Sequence, residues 1–239
     1  MRYPGGKGRC YQHLISLMPP HRVYVETHLG GGAVLRHKRR AQVNVGIERD
    51  ETVVARWRAL AVEGVEIVQG DAVAFLSTYP FEGDELVYSD PPYPRETRAK
   101  ARIYRHDYDR DDHVGLLEVL RRLPCKVIVS SYDNQLYAET LCDWRVVRFK
   151  GDSHTGSRTE TAWLNFEETD ALHDYAHVGD DFRERERFRR RRDGLSDRIG
   201  SMAARERHAL FLDLALRYGQ DLRSALEAAV IRRGILTPM

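Results

Sequence analysis

Leu86-Val87-Tyr88-Ser89-Asp90-Pro91-Pro92-Tyr93 is an apolar run that closes on an acid, two prolines and an aromatic ring. The apolar half predicts a buried strand. Tandem proline lacks the N–H groups a ladder needs, so that strand must stop at Asp90. The Asp90 carboxylate, the free carbonyls of the proline segment and the Tyr93 ring then project together from the strand's carboxyl end. In an open α/β sheet that edge is where ligands bind. A strand followed by a plain proline turn would produce the same stretch, so the neighbouring strands decide between the two.

Three strands precede it. Arg22-Val23-Tyr24-Val25-Glu26 runs into Thr27-His28-Leu29-Gly30-Gly31-Gly32-Ala33, the strand, glycine turn and helix that open a nucleotide-binding α/β fold. Val43-Asn44-Val45-Gly46-Ile47 ends at Glu48, 18 residues after Gly30, where an acid is placed to accept hydrogen bonds from ribose hydroxyls. Asp50 reads as the cap of a helix starting near Glu51. Val65-Glu66-Ile67-Val68 ends in Gln69-Gly70-Asp71, and Asp71 suits both a helix N-cap and an acceptor for an amino group. Four consecutive strands thus finish in glycine turns or carboxylates on one expected edge.

Downstream, residues 94–110 hold six Lys/Arg, three acids and two tyrosines without clear periodicity. Interleaved basic and aromatic residues suit phosphate contact with base stacking, and Arg95, Arg98, Lys100, Arg102, Tyr104 and Arg105 are the candidate nucleic-acid contacts. A solvated loop is the plainer reading. A helix over 112–123, the strand Lys126–Ser130, a helix to Leu141 and the strand Trp144–Phe149 follow. A polar loop over 150–158 leads to a last strand, Thr161–Phe166. It is too short for a crossover helix, so the last two strands are expected to be antiparallel. The fold class is therefore α/β: a doubly wound, mostly parallel sheet with an antiparallel edge hairpin.

From Asp170 the character changes. Residues 1–169 balance 24 Lys/Arg against 24 acids, whereas 170–239 carry 14 Arg, no Lys and 12 acids. Residues 1–169 are read as the catalytic domain and 170–239 as a helical, Arg-rich extension. In it, the run Arg183–Arg192 precedes helical stretches near 195–218 and 221–231. That run reads either as a solvated helix face or as a nucleic-acid contact.

With 42% hydrophobic and 31% charged residues, the 239-residue chain has the composition of a soluble globular protein. No apolar run approaches a membrane span, and no signal-peptide core is evident. Cys10, Cys125 and Cys142 are too few and scattered for a disulfide framework or a zinc site, so no metal is expected. They read as small hydrophobes in a reducing cytoplasm. The glycine-rich opening Tyr3-Pro4-Gly5-Gly6-Lys7-Gly8 lacks the spacing of a triphosphate-binding loop, although Lys7 could reach an anion.

These pieces resemble a known family, the D12-class, Dam-like N6-adenine DNA methyltransferases. The matches are Arg2-Tyr3-Pro4-Gly5-Gly6-Lys7, Tyr24–Gly32 and Asp90-Pro91-Pro92-Tyr93, with lesser ones at Ser131-Tyr132-Asp133-Asn134 and Glu160–Asn165. They fall in the family's order across residues 1–167. The resemblance implies S-adenosylmethionine as methyl donor, with Tyr3 and Lys7 near its methionine end. Gly30 and Gly32 would admit its backbone, Glu48 bind the ribose and Asp71 the adenine amino group. Glu26 and Asp90 complete the implied cofactor set.

Asp90, Pro91, Pro92 and Tyr93 are the implied catalytic residues. Adenine N6 is a poor nucleophile, and hydrogen bonds to the Asp90 carboxylate and Pro91 carbonyl would localise its lone pair. Tyr93 would stack on an adenine flipped from the duplex. The implied partner is double-stranded DNA, with a cognate restriction endonuclease as a further candidate. Only 18 residues separate Asp71 from Asp90, so the insertion that usually reads the DNA sequence in this family has no room. Adenine in RNA as substrate, and a nucleic-acid-binding module without turnover, are the rival readings. Cytosine C5 chemistry at Pro124-Cys125 is set aside, because Cys125 begins a strand and falls at the opposite edge from Asp90.

Overall fold

The structure is a computed structural model describing residues 7–8, 10–97, 105–153 and 156–233. Seven strands form one sheet: β1 (Val23–Thr27), β2 (Val43–Glu48), β3 (Glu66–Gln69), β4 (Glu85–Ser89), β5 (Lys126–Ser131), β6 (Arg145–Ser153) and β7 (Gly156–Leu164). Their order is β3-β2-β1-β4-β5-β7-β6. The first five are parallel, and β7 runs antiparallel to both β5 and β6. The doubly wound sheet with a reversed edge hairpin is therefore present as expected.

Every residue of β1 and of β4 is buried, which is why both read as apolar runs without polar alternation. Alternate side chains feed two cores. Val23, Val25, Val87, Val127 and Val129 face α4 (Ala72–Thr78), α5 (Arg110–Arg122) and α6 (Gln135–Thr140) through Leu76, Leu116, Leu120 and Tyr137. Tyr24, Leu86, Tyr88 and Ile128 face α1 (Tyr11–Ile15), α2 (Ala33–His37) and α3 (Glu51–Leu60) through Leu14, Leu35 and Trp57. From β1 the chain winds outward through β2 and β3, then returns to place β4 on β1's other side. Neighbouring connections then leave the sheet in opposite directions, and a crevice opens between the carboxyl ends of β1 and β4.

Three expectations from the sequence are corrected by the structure. The loop expected over 150–158 is largely strand: Lys150 pairs with Thr159 and Ser153 with Gly156, so β6 and β7 form one long ribbon. The arginine run does not precede the helices but lies inside the first of them, α7 (Phe182–Ser201). Asp181 caps α7 by accepting the Glu184 N–H, a short-range signal overlooked beside so many charges. The stretch read as one helix over 195–218 is broken at Met202-Ala203, giving α8 (Ala204–Arg217) before α9 (Gly219–Arg233).

The segment leading to α7 is pinned under the sheet's amino edge. His173 stacks on His21 at 3.8 Å and its N–H donates to the Met18 carbonyl, while Asp174 accepts the Arg39 N–H. No helix among the described residues is long and apolar enough to cross a membrane.

Candidate active site

The turn after β1 is wound through left-handed backbone at His28, Gly30 and Gly32, with φ of 57°, 46° and 54°. His28 is held in that conformation by both ring nitrogens, one 2.9 Å from Thr27 Oγ1 and the other 2.8 Å from the Tyr108 hydroxyl. Burial pushes the His28 imidazole down to about 3, so it is neutral at physiological pH. Trp57 lies under the turn and its indole N–H donates to the Gly30 carbonyl at 2.8 Å. A Cβ at Gly32 would come within 2.3 Å of the Trp57 ring. The space beside Gly32 is thus filled by the protein's own packing.

Glu48, at the end of β2, ties the turn in place. One carboxylate oxygen accepts the Gly30 N–H and the other the Asp50 N–H. Each oxygen keeps a second lone pair for a ligand. Asp71 caps α4 through the Ala74 N–H, so its helix-cap role holds. It also lines a cleft of about 530 Å³, open mouth included, together with His28, Ile47, Glu48, Asp90 and Pro92. Three strand ends therefore bring three carboxylates to one cleft. Tyr3 lies outside the described residues.

Glu26 is placed differently: it is not among the residues lining the cleft. Its carboxyl is buried behind the turn, accepting the Tyr24 hydroxyl and the Leu35 N–H, each at 2.8 Å. Burial pushes its pKa up to about 8, against the pull of those two hydrogen bonds. A group whose folded pKa is raised stabilises most below its unfolded value near 4.5, and that stability drains away as pH climbs toward 8. Buried neutral His21 and His173 act in the opposite sense over part of this range, so the difference between proteins is the clean measure. Glu26→Gln keeps an acceptor oxygen and removes the proton. Its stability relative to the parent should rise between pH 5 and 7, a trend that urea melts at several pH values would show.

Asp90 follows β4 directly and shares one oxygen between the Lys7 ammonium at 2.5 Å and the Ser130 hydroxyl at 2.9 Å. Lys7 also donates to the Tyr93 hydroxyl at 2.5 Å, and that hydroxyl in turn donates to Glu160 at 2.5 Å. Burial alone would strip the charge from Lys7, but Asp90, Tyr93 and Glu160 outweigh it and hold its pKa well above the usual lysine range. Tyr93 is buried, with Lys7 over its ring at 4.7 Å and Tyr132 edge-on at 4.6 Å. Tyr132 is the more exposed ring of that pair and lines a second, open cleft with Glu96, Arg110 and Thr159.

Glu160 and Ser130 carry no role in the sequence reading. The available signal is an acid in the otherwise apolar strand Glu160–Leu164 and a hydroxyl closing Val127–Ser130. Of the candidate nucleic-acid contacts, Arg98, Lys100, Arg102 and Tyr104 lie outside the described residues. Arg95 and Arg105 are exposed and rest on acids, 3.6 Å from Asp107 and 3.5 Å from Asp50. Tyr108, counted above among the aromatics of that stretch, instead packs into the core. Cys125 sits at the amino end of β5, and burial pushes its thiol up to about 12, which makes it a poor nucleophile.

No protein-family model and no curated protein matches the sequence. Solved structures similar to it include M. capricolum TrmK in complex with S-adenosyl-homocysteine, at 8% identity, 94% of this chain, 96% of that one and a TM-score of 0.44. The 23S rRNA methyltransferase ErmE is similar at 13% identity, 80% and 86% coverage and 0.44. An rRNA methylase from Streptococcus thermophilus is similar at 13% identity, 64% and 92% coverage and 0.43. At these scores the likeness carries no conclusion about substrate, which has to come from the sheet edge itself.

Proposed function

We propose that this chain transfers a methyl group from S-adenosylmethionine to N6 of adenine in DNA. The observation that carries the reading is the position of Asp90-Pro91-Pro92-Tyr93 at the carboxyl end of β4 beside the switch point, with Asp90 and Pro92 in one cleft with Glu48 and Asp71. The donor set fits the cofactor. Glu48 has lone pairs for the ribose hydroxyls, Asp71 an acceptor for the adenine amino group, and the carboxylates favour a sulfonium charge. When bound, S-adenosylmethionine supplies an electrophilic methyl group.

The chain's own residues then handle the acceptor. Asp90 and the Pro91 carbonyl accept hydrogen bonds from the two N6–H groups and keep the lone pair on nitrogen, and the one N6 proton that the methyl group displaces would pass to the Asp90 carboxylate and on to water. Lys7 and Ser130, bonded to the same Asp90 oxygen, fix the carboxylate's orientation. Glu160 and Lys7 clamp the Tyr93 hydroxyl and hold its ring edge-on to Tyr132, the more accessible ring for stacking on a flipped base.

Incubation with methyl-labelled S-adenosylmethionine and unmethylated DNA or RNA tests the reading. Label is expected in DNA. Label in RNA alone would overturn the substrate, and transfer to neither would overturn the activity. Glu48→Ala should raise the dissociation constant for S-adenosylmethionine by about 10- to 100-fold, the usual worth of hydrogen bonds to a charged group, as read by calorimetry.

A further inference from the structure

The three helices after Asp181 have no core of their own. α7 and α8 contain no buried residue, and no described side chain of α9 is buried. At 14 and 15 residues, α8 and α9 are marginal alone in water and take their stability from packing an apolar face. Here the apolar side chains stand in the open: Phe211 is 48% exposed, Leu212 59% and Leu216 79%. Leu210-Phe211-Leu212-Asp213-Leu214-Ala215-Leu216 places apolar residues around most of α8's circumference. A helix of that kind is normally a buried one.

Charge and area point to what covers it. Arg183–Arg192 carries seven Arg against two Glu, but residues 193–227 carry five Arg against six acids. The apolar part of the arm is thus almost neutral and meets little repulsion from a copy of itself. Six large apolar side chains between Leu195 and Leu226 are 48% to 79% exposed. At about 150–200 Å² for each such side chain they leave roughly 530–710 Å² of apolar surface per chain. A standard-size interface needs about 800 Å² from each partner, of which roughly 450–520 Å² is non-polar.

We propose that residues 193–227 pack against the same segment of a second copy, making a homodimer with an isologous helical interface. It stands apart from the methyl-transfer chemistry, because none of these residues lines the cleft. Sedimentation of the full chain at about 10 μM should give twice the 27.6 kDa monomer mass, if the dimer holds with micromolar or tighter affinity. Leu212→Glu combined with Leu216→Glu should weaken the dimer by about 100-fold or more. Circular dichroism should lose helical signal from the arm as the dimer dissociates, because its helices no longer pack, while the sheet signal is retained. Leu226→Arg probes the same interface from α9 and should also dissociate it. A full chain that sediments as a monomer overturns the proposal, including the case in which the arm binds a different protein. A dimer that survives both variants unweakened overturns it as well, by placing the interface elsewhere.

Discussion

Asp90→Ala should lower kcat for methyl transfer by about 10²- to 10³-fold or more, the usual result of removing one partner of a developing charge. S-adenosylmethionine should still bind within about tenfold of the parent, because Glu48 and Asp71 are untouched. Asp90 does two jobs. Its carboxylate receives N6, and it is the first counter-charge for Lys7, whose ammonium is buried at 2.5 Å from it. Removing one member of a buried pair typically costs about 3–5 kcal/mol. The loss here should sit at the lower end, since Glu160 remains 3.9 Å from Lys7 and Asp90 is itself partly exposed. Thermal melts and donor titrations on the same sample separate the two effects. A folded, donor-binding Asp90→Ala protein with parental turnover would remove Asp90 from the chemistry.

Gly32→Ala should be strongly destabilising although it adds a single methyl group. The added carbon would fall 2.3 Å from one Trp57 ring atom and 2.8 Å from another, and φ at this position is +54°. Overpacking a filled core costs about 1–3 kcal/mol, and an L-residue held in left-handed backbone adds about 1 kcal/mol more. Trp57 cannot swing aside cheaply, because it is fully buried and its N–H is bonded to the Gly30 carbonyl. A fall in melting temperature of about 5–10 °C is therefore expected. The loss should appear without S-adenosylmethionine present, which marks Gly32 as a packing residue of the turn. A variant with parental melting and weakened donor binding would return Gly32 to the ligand.

Much of this could be read from local pattern. Apolar runs closing on Glu48 and Asp90 give strands buried on both faces, and with the more exposed edge strand before Asp71 they place three carboxylates on one edge. Asp50 and Asp71 announce their helices through short-range capping. What stayed hidden depends on distant partners. Lys7 meets Asp90 across 83 residues of sequence, and Tyr93 meets Glu160 across 67. No periodicity encodes such pairs. Trp57 filling the space at Gly32 is a tertiary fact of the same kind, as is Tyr108 turning inward from a loop that looks basic and solvated. In the arm, seven arginines masked the Asp181 cap, because charge density says little about where a helix begins.

Adenine N6 as the methyl acceptor is tested most directly by the nucleosides released from DNA after incubation with S-adenosylmethionine. Mass analysis should find N6-methyl-2′-deoxyadenosine formed by the parent protein and formed about 100-fold or more slowly by Asp90→Ala. A methyl group on cytosine, or N6-methyldeoxyadenosine formed equally by both proteins, would contradict it.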